Sequence, residues 1–129
     1  MSTLDQHIKQ GVCLLTLQRP DKYNAFNREL SMELQSALSS AHSNEDVRAI
    51  VLTGAGKAFC SGQDLGEAID PQGVGLDRIL SEHYNPLVRL MRSVMKPIVV
   101  AVNGVAAGAG ANLALTGDIV LASEHATFI

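Results

Sequence analysis

Short β-rich runs alternate along this chain with segments whose apolar residues recur every three or four positions. Val12-Cys13-Leu14-Leu15-Thr16-Leu17 has the composition of a strand and is closed by Arg19-Pro20-Asp21. The residues from Ile8, interrupted at Lys9-Gln10-Gly11, make an opening β-hairpin with it. Asn27 is placed to cap a helix from Arg28 to His42, since its side-chain oxygen can accept a first-turn N–H. Leu30, Leu34, Ala37, Leu38 and Ala41 follow the 3.6-residue period and form the core face of that helix. Arg48 to Thr53 reads as a further strand, stopped by Gly54-Ala55-Gly56.

A loop follows from Lys57 to Leu65, and Asp70-Pro71-Gln72-Gly73-Val74-Gly75 has the composition of an exposed connection. Leu76 to Met95 reads as helix, with Pro86 forcing a kink or a fresh start. Ile98-Val99-Val100-Ala101-Val102 is a continuous run of the kind expected of a strand buried on both faces. Asn103-Gly104 turns the chain, and Gly108-Ala109-Gly110 opens a short apolar helix from Ala111 to Leu115. Asp118 to Ala122 is another strand, and Thr127-Phe128-Ile129 begins one more. Strands alternating with helices predict an α/β fold with a mainly parallel sheet. The apolar ending leads us to expect chain beyond Ile129, with residues 1–129 forming the N-terminal part of a single domain.

With 129 residues, 47% of them hydrophobic, and a net charge of −3, the chain has the make-up of a folded domain. No basic excess supplies a nucleic-acid surface. The long apolar stretch from Pro97 to Leu115 is broken by Asn103 and by glycines, so it is not expected to span a membrane. Met1 to His7 lacks the basic start and apolar core of a secretory signal. Two cysteines, Cys13 and Cys60, make no disulfide framework. These features together lead us to expect a soluble, cytoplasmic protein.

Two glycine-bearing loops follow β-rich runs: Phe59-Cys60-Ser61-Gly62-Gln63-Asp64-Leu65 and Asn103-Gly104-Val105-Ala106-Ala107-Gly108-Ala109-Gly110. A helix opening at the second loop would present unpaired N–H groups, and one N–H from each loop could converge on a single carbonyl oxygen. Tight turns and close helix packing account for the same glycines at least as well, so the residues alone leave both readings open. Nucleotide motifs fail. Gly54-Ala55-Gly56-Lys57-Ala58 lacks the first glycine and the hydroxyl of a P-loop, and the later glycines do not form G-x-G-x-x-G. Ser61 lacks a nucleophile elbow, and Cys60 reads as a small buried hydrophobe. His7, His42, His83 and His125 have no metal-ligand spacing. Asp64 and Asp118 sit where caps and turns commonly use aspartate.

The two loops, taken with Arg19-Pro20-Asp21-Lys22-Tyr23-Asn24-Ala25-Phe26 and Gly117-Asp118-Ile119-Val120-Leu121-Ala122, resemble the signatures of the enoyl-CoA hydratase/isomerase (crotonase) family. The resemblance runs in order from about Ile8 to Ile129. It implies a spiral of ββα units, incomplete at the C-terminus, that self-associates as a trimer or hexamer. It also implies an acyl-CoA thioester as substrate and no separate cofactor, CoA being part of the substrate. Matched residue by residue, it places the two oxyanion donors on the backbone N–H groups of Ser61 and Ala109. Lys22, Gly62, Gln63, Asp64, Leu65, Gly108 and Asn112 fall on substrate-binding positions.

Asn112 stands where hydratases of this family carry a glutamate that handles water. An amide has no titratable proton at neutral pH, so a two-acid hydration is not expected. The reading adopted is an acyl-CoA isomerase, resembling the branch that converts the ring-1,2-epoxide of phenylacetyl-CoA to an oxepin in phenylacetate degradation. Its acid/base carboxylate is expected beyond Ile129, and residues 1–129 alone are expected to lack turnover. An enoyl-CoA hydratase, a Δ3,Δ2-enoyl-CoA isomerase and a non-catalytic acyl-CoA-binding scaffold are the alternatives.

Overall fold

The computed structural model describes residues 2–129. Strands β1 (Leu4–Lys9) and β2 (Val12–Leu17) form the expected antiparallel hairpin, with Lys9 opposite Val12. Gln10 (φ 53°) and Gly11 (φ 82°) both take positive φ, the geometry a two-residue hairpin turn requires. Helix α1 (Arg28–Ser43) starts where predicted, Asn27 Oδ1 accepting the Leu30 N–H at 2.9 Å. Its five predicted core residues are all buried, joined by Ser31. The Ser31 hydroxyl donates to the His83 carbonyl, so a polar residue on the core face is satisfied.

Strands β3 (Ala49–Gly54), β5 (Ile98–Val102) and β7 (Ile119–Ala122) extend the sheet in parallel, giving the order β1-β2-β3-β5-β7. A second, three-stranded parallel sheet is built from β4 (Ala58–Cys60), β6 (Val105–Ala106) and β8 (Thr127–Phe128). This α/β arrangement meets the predicted class. Two of its strands were not foreseen: β4 lies inside the segment read as a loop, and β6 inside the glycine-bearing stretch from Asn103 to Gly110, just after the turn. Strands of three and two residues are too short to display a period.

The segment after α2 (Leu65–Ile69) also differs in detail from the single kinked helix. It runs as α3 (Leu76–Ile79), a π turn (Leu80–Tyr84) and α4 (Asn85–Ser93). The Asn85 N–H reaches back five residues to the Leu80 carbonyl. Pro86, which has no N–H, then sits in the first turn of α4, where none is required. The last helix, α5, spans Ala109–Ala114, beginning two residues before the predicted start.

The core joins α1, α4 and one face of the larger sheet, with Leu15, Leu52 and Val100 in register on β2, β3 and β5 and fully buried. Burial of β5 alternates, contrary to the expectation of burial on both faces: Ile98, Val100 and Val102 are buried, Val99 and Ala101 half-buried. The reason is that the opposite face, carrying Leu14, Val51, Val99 and Ile119 in register, is only partly covered. No helix among the described residues is long and apolar enough to cross a membrane.

Candidate active site

Two backbone segments are brought edge to edge by the smaller sheet. The first leaves β4. Gly62 takes φ +105°, and a side chain there would press on the Ala107 carbonyl, a Cβ lying 3.0 Å from that oxygen. Next, Gln63 forms a parallel bridge with Phe26: the Phe26 N–H donates to the Gly62 carbonyl at 2.7 Å, and the Asp64 N–H donates to the Phe26 carbonyl at 2.8 Å. In an extended strand successive N–H groups point to opposite sides, so the Gln63 N–H faces away from Phe26. It has no acceptor among the described residues.

The second segment leaves β6 and enters α5. The Ala107 N–H donates to the Cys60 carbonyl at 3.0 Å, and the Gly108 N–H donates to the Ile129 carbonyl at 2.9 Å. Gly110 lies so close to β4 that a Cβ would sit 2.2 Å from the Cys60 oxygen, which excludes any side chain. Ala109 is the first residue of α5, and its N–H likewise lacks an acceptor among the described residues. The two segments meet here: a Cβ built on Gly62 would lie 3.7 Å from the Ala109 nitrogen.

Ser61 corrects the sequence expectation. Its N–H donates to the Tyr23 carbonyl at 3.0 Å and is therefore not available to a ligand. The available N–H of this loop belongs to Gln63, two residues later. The turn that supplies the Tyr23 carbonyl is itself anchored by buried Asn24, which accepts the Arg19 N–H at 2.8 Å and donates to the Ala55 and Ala58 carbonyls. Asn24 thus locks the Lys22 turn against β4.

Two cavities adjoin these N–H groups. A polar one of about 440 Å³ is bounded by Lys22, Ala25, Ser61, Gln63, Asp64, Leu65 and Gly66. An apolar one of about 250 Å³ is bounded by Leu80, Tyr84, Leu87, Val88, Ala109, Asn112 and Leu113. The predicted residues Lys22, Ser61, Gln63, Asp64 and Leu65 share the first; Ala109 and Asn112 share the second. Gly62 and Gly108 line neither and instead shape the backbone, both at positive φ. Leu80, Tyr84, Leu87 and Val88 were missed as site residues. Their spacing of four, three and one marks a helix face, a signal present in the sequence but equally expected of plain core.

The carboxylates nearby, Asp64 and Glu67, are engaged. Asp64 caps α2 through the Glu67 N–H at 3.1 Å and pairs with Arg19 at 3.1 Å. Partial burial pushes its carboxyl up, but the Glu67 and Gly66 N–H groups and the Arg19 guanidinium outweigh that and hold it below the usual carboxylate range. Glu67 accepts the Arg28 N–H at 2.8 Å and the Gln63 amide at 3.2 Å. His83, only 1% exposed, is held below its ordinary pKa chiefly by burial and so stays neutral. Burial pushes the Cys60 thiol up to about 12, which makes it an inert core residue. Among the described residues no cluster of three metal-ligating side chains occurs. Among the described residues, Tyr84 and Asn112 are the only polar side chains lining the apolar cavity.

The enoyl-CoA hydratase/isomerase family model matches residues 7–129. The chain belongs to the enoyl-CoA hydratase/isomerase family. It is 46% identical over 132 residues to the 1,2-epoxyphenylacetyl-CoA isomerase of Escherichia coli K12, covering 100% of this chain and 50% of that relative. A probable enoyl-CoA hydratase of Rhodobacter capsulatus is 47% identical over 127 residues, covering 98% of this chain and 48% of its own length. Among solved structures, an enoyl-CoA hydratase from Mycobacterium avium subsp. paratuberculosis superposes with a TM-score of 0.88 at 34% identity, over 100% of this chain and 50% of that one. The fold is therefore the crotonase fold, in a family of enzymes. The chain spans about half the length of the curated relatives it matches.

Proposed function

We propose that these residues form the carbonyl-polarising and acyl-binding part of an acyl-CoA isomerase. The observation that carries the reading is the pair of unaccepted N–H groups, Gln63 and Ala109, at the junction of a polar and an apolar cavity. A thioester spanning both cavities puts its carbonyl between the two donors, its CoA portion beside Lys22 and Leu65, and its acyl group against Leu87, Val88 and Leu113. Two preorganised donors stabilise the negative charge that develops on the carbonyl oxygen when a proton leaves or a bond shifts. One such donor is typically worth about 3 kcal/mol. No resident cofactor is required, since CoA is part of the substrate.

Asn112 supports isomerisation over hydration. It faces the acyl cavity, where an amide can hydrogen-bond substrate but cannot deliver a proton to water. Asp64 and Glu67 are tied into caps and ion pairs, which supports an acid/base carboxylate outside residues 2–129. The similarity to the Escherichia coli isomerase supports the finer assignment to the ring epoxide of phenylacetyl-CoA. Hydration is the second reading, favoured by the similarity to the Rhodobacter capsulatus relative. A trimer or hexamer of the full-length chain is part of the proposal.

Steady-state assays of the full-length chain with ring-1,2-epoxyphenylacetyl-CoA, a Δ3-enoyl-CoA and crotonyl-CoA test this. We expect turnover of the epoxide and slow hydration of crotonyl-CoA, with Asn112→Glu raising the hydration. Efficient hydration by the unaltered protein would sink the isomerase assignment.

A further inference from the structure

We propose that Tyr84 is a positioning residue for the Gln63 N–H, acting through the Gln63 side chain. The inference rests on the reading that this N–H polarises the thioester carbonyl. Gln63 is tied on one edge by its bridge to Phe26, and its side chain is tied at both ends. Its Oε1 accepts the Tyr84 hydroxyl at 2.6 Å, and its Nε2 donates to Glu67 Oε1 and to the Asp64 carbonyl, each at 3.2 Å. Glu67 in turn is held by the Arg28 N–H at 2.8 Å. The Tyr84 ring rests on Phe26, with centroids 6.0 Å apart, so Tyr84 touches both partners of the bridge. Burial above all, with Cys60 and Glu67 adding to it, pushes the phenol above its ordinary range and keeps the hydroxyl a donor.

This bond lies on the boundary between the two cavities, because Gln63 lines the polar one and Tyr84 the apolar one. A carbonyl seated at the junction sits beside it. Deleting the hydroxyl leaves Gln63 Oε1 without its donor, and the side chain turns toward the polar cavity. The backbone N–H then loses the fixed aim on which carbonyl polarisation depends.

The test uses 4-(dimethylamino)cinnamoyl-CoA bound to the full-length chain, a chromophore whose absorption moves to the red when its carbonyl is polarised. We expect a red shift in the unaltered protein. Tyr84→Phe should lose about half of the shift or more and bind the chromophore roughly tenfold more weakly, with free-CoA affinity held within about twofold. Gln63→Met keeps the backbone N–H but removes the acceptor, and should reproduce the loss. The double variant should be no worse than either single one. A full red shift in Tyr84→Phe or in Gln63→Met overturns the positioning role while leaving the Gln63–Ala109 reading intact. Equal weakening of free CoA and chromophore overturns it too, marking a structural role. Absence of a red shift in the unaltered protein overturns that reading and this inference together.

Discussion

The two cavities that meet at Gln63 and Ala109 are built in different ways. The polar one is shaped by the backbone around it: Gly62 at positive φ beside its lining, a capped helix start and a bridge to Phe26. The apolar one is walled by side chains from α5, the π turn and α4. A backbone N–H is present whatever the side chain, so the polar side suits a constant group such as a thioester with its CoA. Side-chain walls change with every substitution, so the apolar side suits the part of the ligand that varies between relatives. The division predicts that a variant on one side changes one portion of the ligand's binding and spares the other.

The sharpest way to break this division removes a single backbone hydrogen. Ala109 is the first residue of α5 and follows Gly108, so Ala109→Pro fits the helix start and replaces the N–H by a ring methylene. Turnover should fall roughly 10²–10³-fold with little change in KM. A fall confined to KM would mean that Ala109 contributes binding rather than carbonyl polarisation.

On the apolar side, Leu87 is fully buried and borders an existing cavity. Leu87→Ala should cost about 2 kcal/mol in urea unfolding. It should also shift preference toward bulkier acyl groups, with free-CoA inhibition unchanged. Weaker inhibition by free CoA would contradict the separation of the two cavities.

Asp64 belongs to the polar wall. Its native pKa is depressed, so the stability it contributes is present above the unfolded value of about 3.9 and is lost as pH falls through the native value. Asp64→Ala should lower stability by about 1 kcal/mol at neutral pH, through the lost cap. It should also flatten the acid limb of the stability curve, measured by urea midpoints from pH 6 to 3. An unchanged acid limb would show that other carboxylates dominate there.

The smallest effect is expected at Lys22, on the rim of the polar cavity. Lys22→Ala should leave stability within about 0.5 kcal/mol and raise KM a few-fold at low salt, the difference fading as salt screens it. A salt-independent change in KM would rule out a charge contact with CoA phosphates.

What could be read from the sequence follows from how local each cause is. Helix α1 was legible to within a residue because its cap and its apolar period both lie within the segment. The hairpin turn was legible from Gln10-Gly11 for the same reason. Strands β4 and β6 were not, since each is defined by pairing with strands distant in the chain. Both signature loops were legible as segments brought together, yet the unpaired N–H was misplaced on Ser61. Which N–H of an extended loop stays unpaired depends on which ones Tyr23 and Phe26 take, and those lie 38 and 37 residues earlier in the chain. The same holds for Tyr84, whose contact with Gln63 spans 21 residues and leaves no local pattern.

The π turn between α3 and α4 has one more consequence. A turn closed five residues back instead of four absorbs one extra residue without breaking the helix. Removing any one residue between Leu80 and Tyr84 would let an ordinary α turn form, and α3 would swing by about 100° around the axis relative to α4. Leu87 and Val88 would keep their places, while the connection leading back to Asp70 would be carried to a different side. The length of this segment, more than the identity of its residues, thus sets whether Leu80 joins Leu87 and Val88 in the acyl wall. A homologue shorter by one residue here would keep Tyr84, Leu87 and Val88, which abut or belong to α4, and lose Leu80 from the acyl wall, a difference that comparing substitutions position by position would not register.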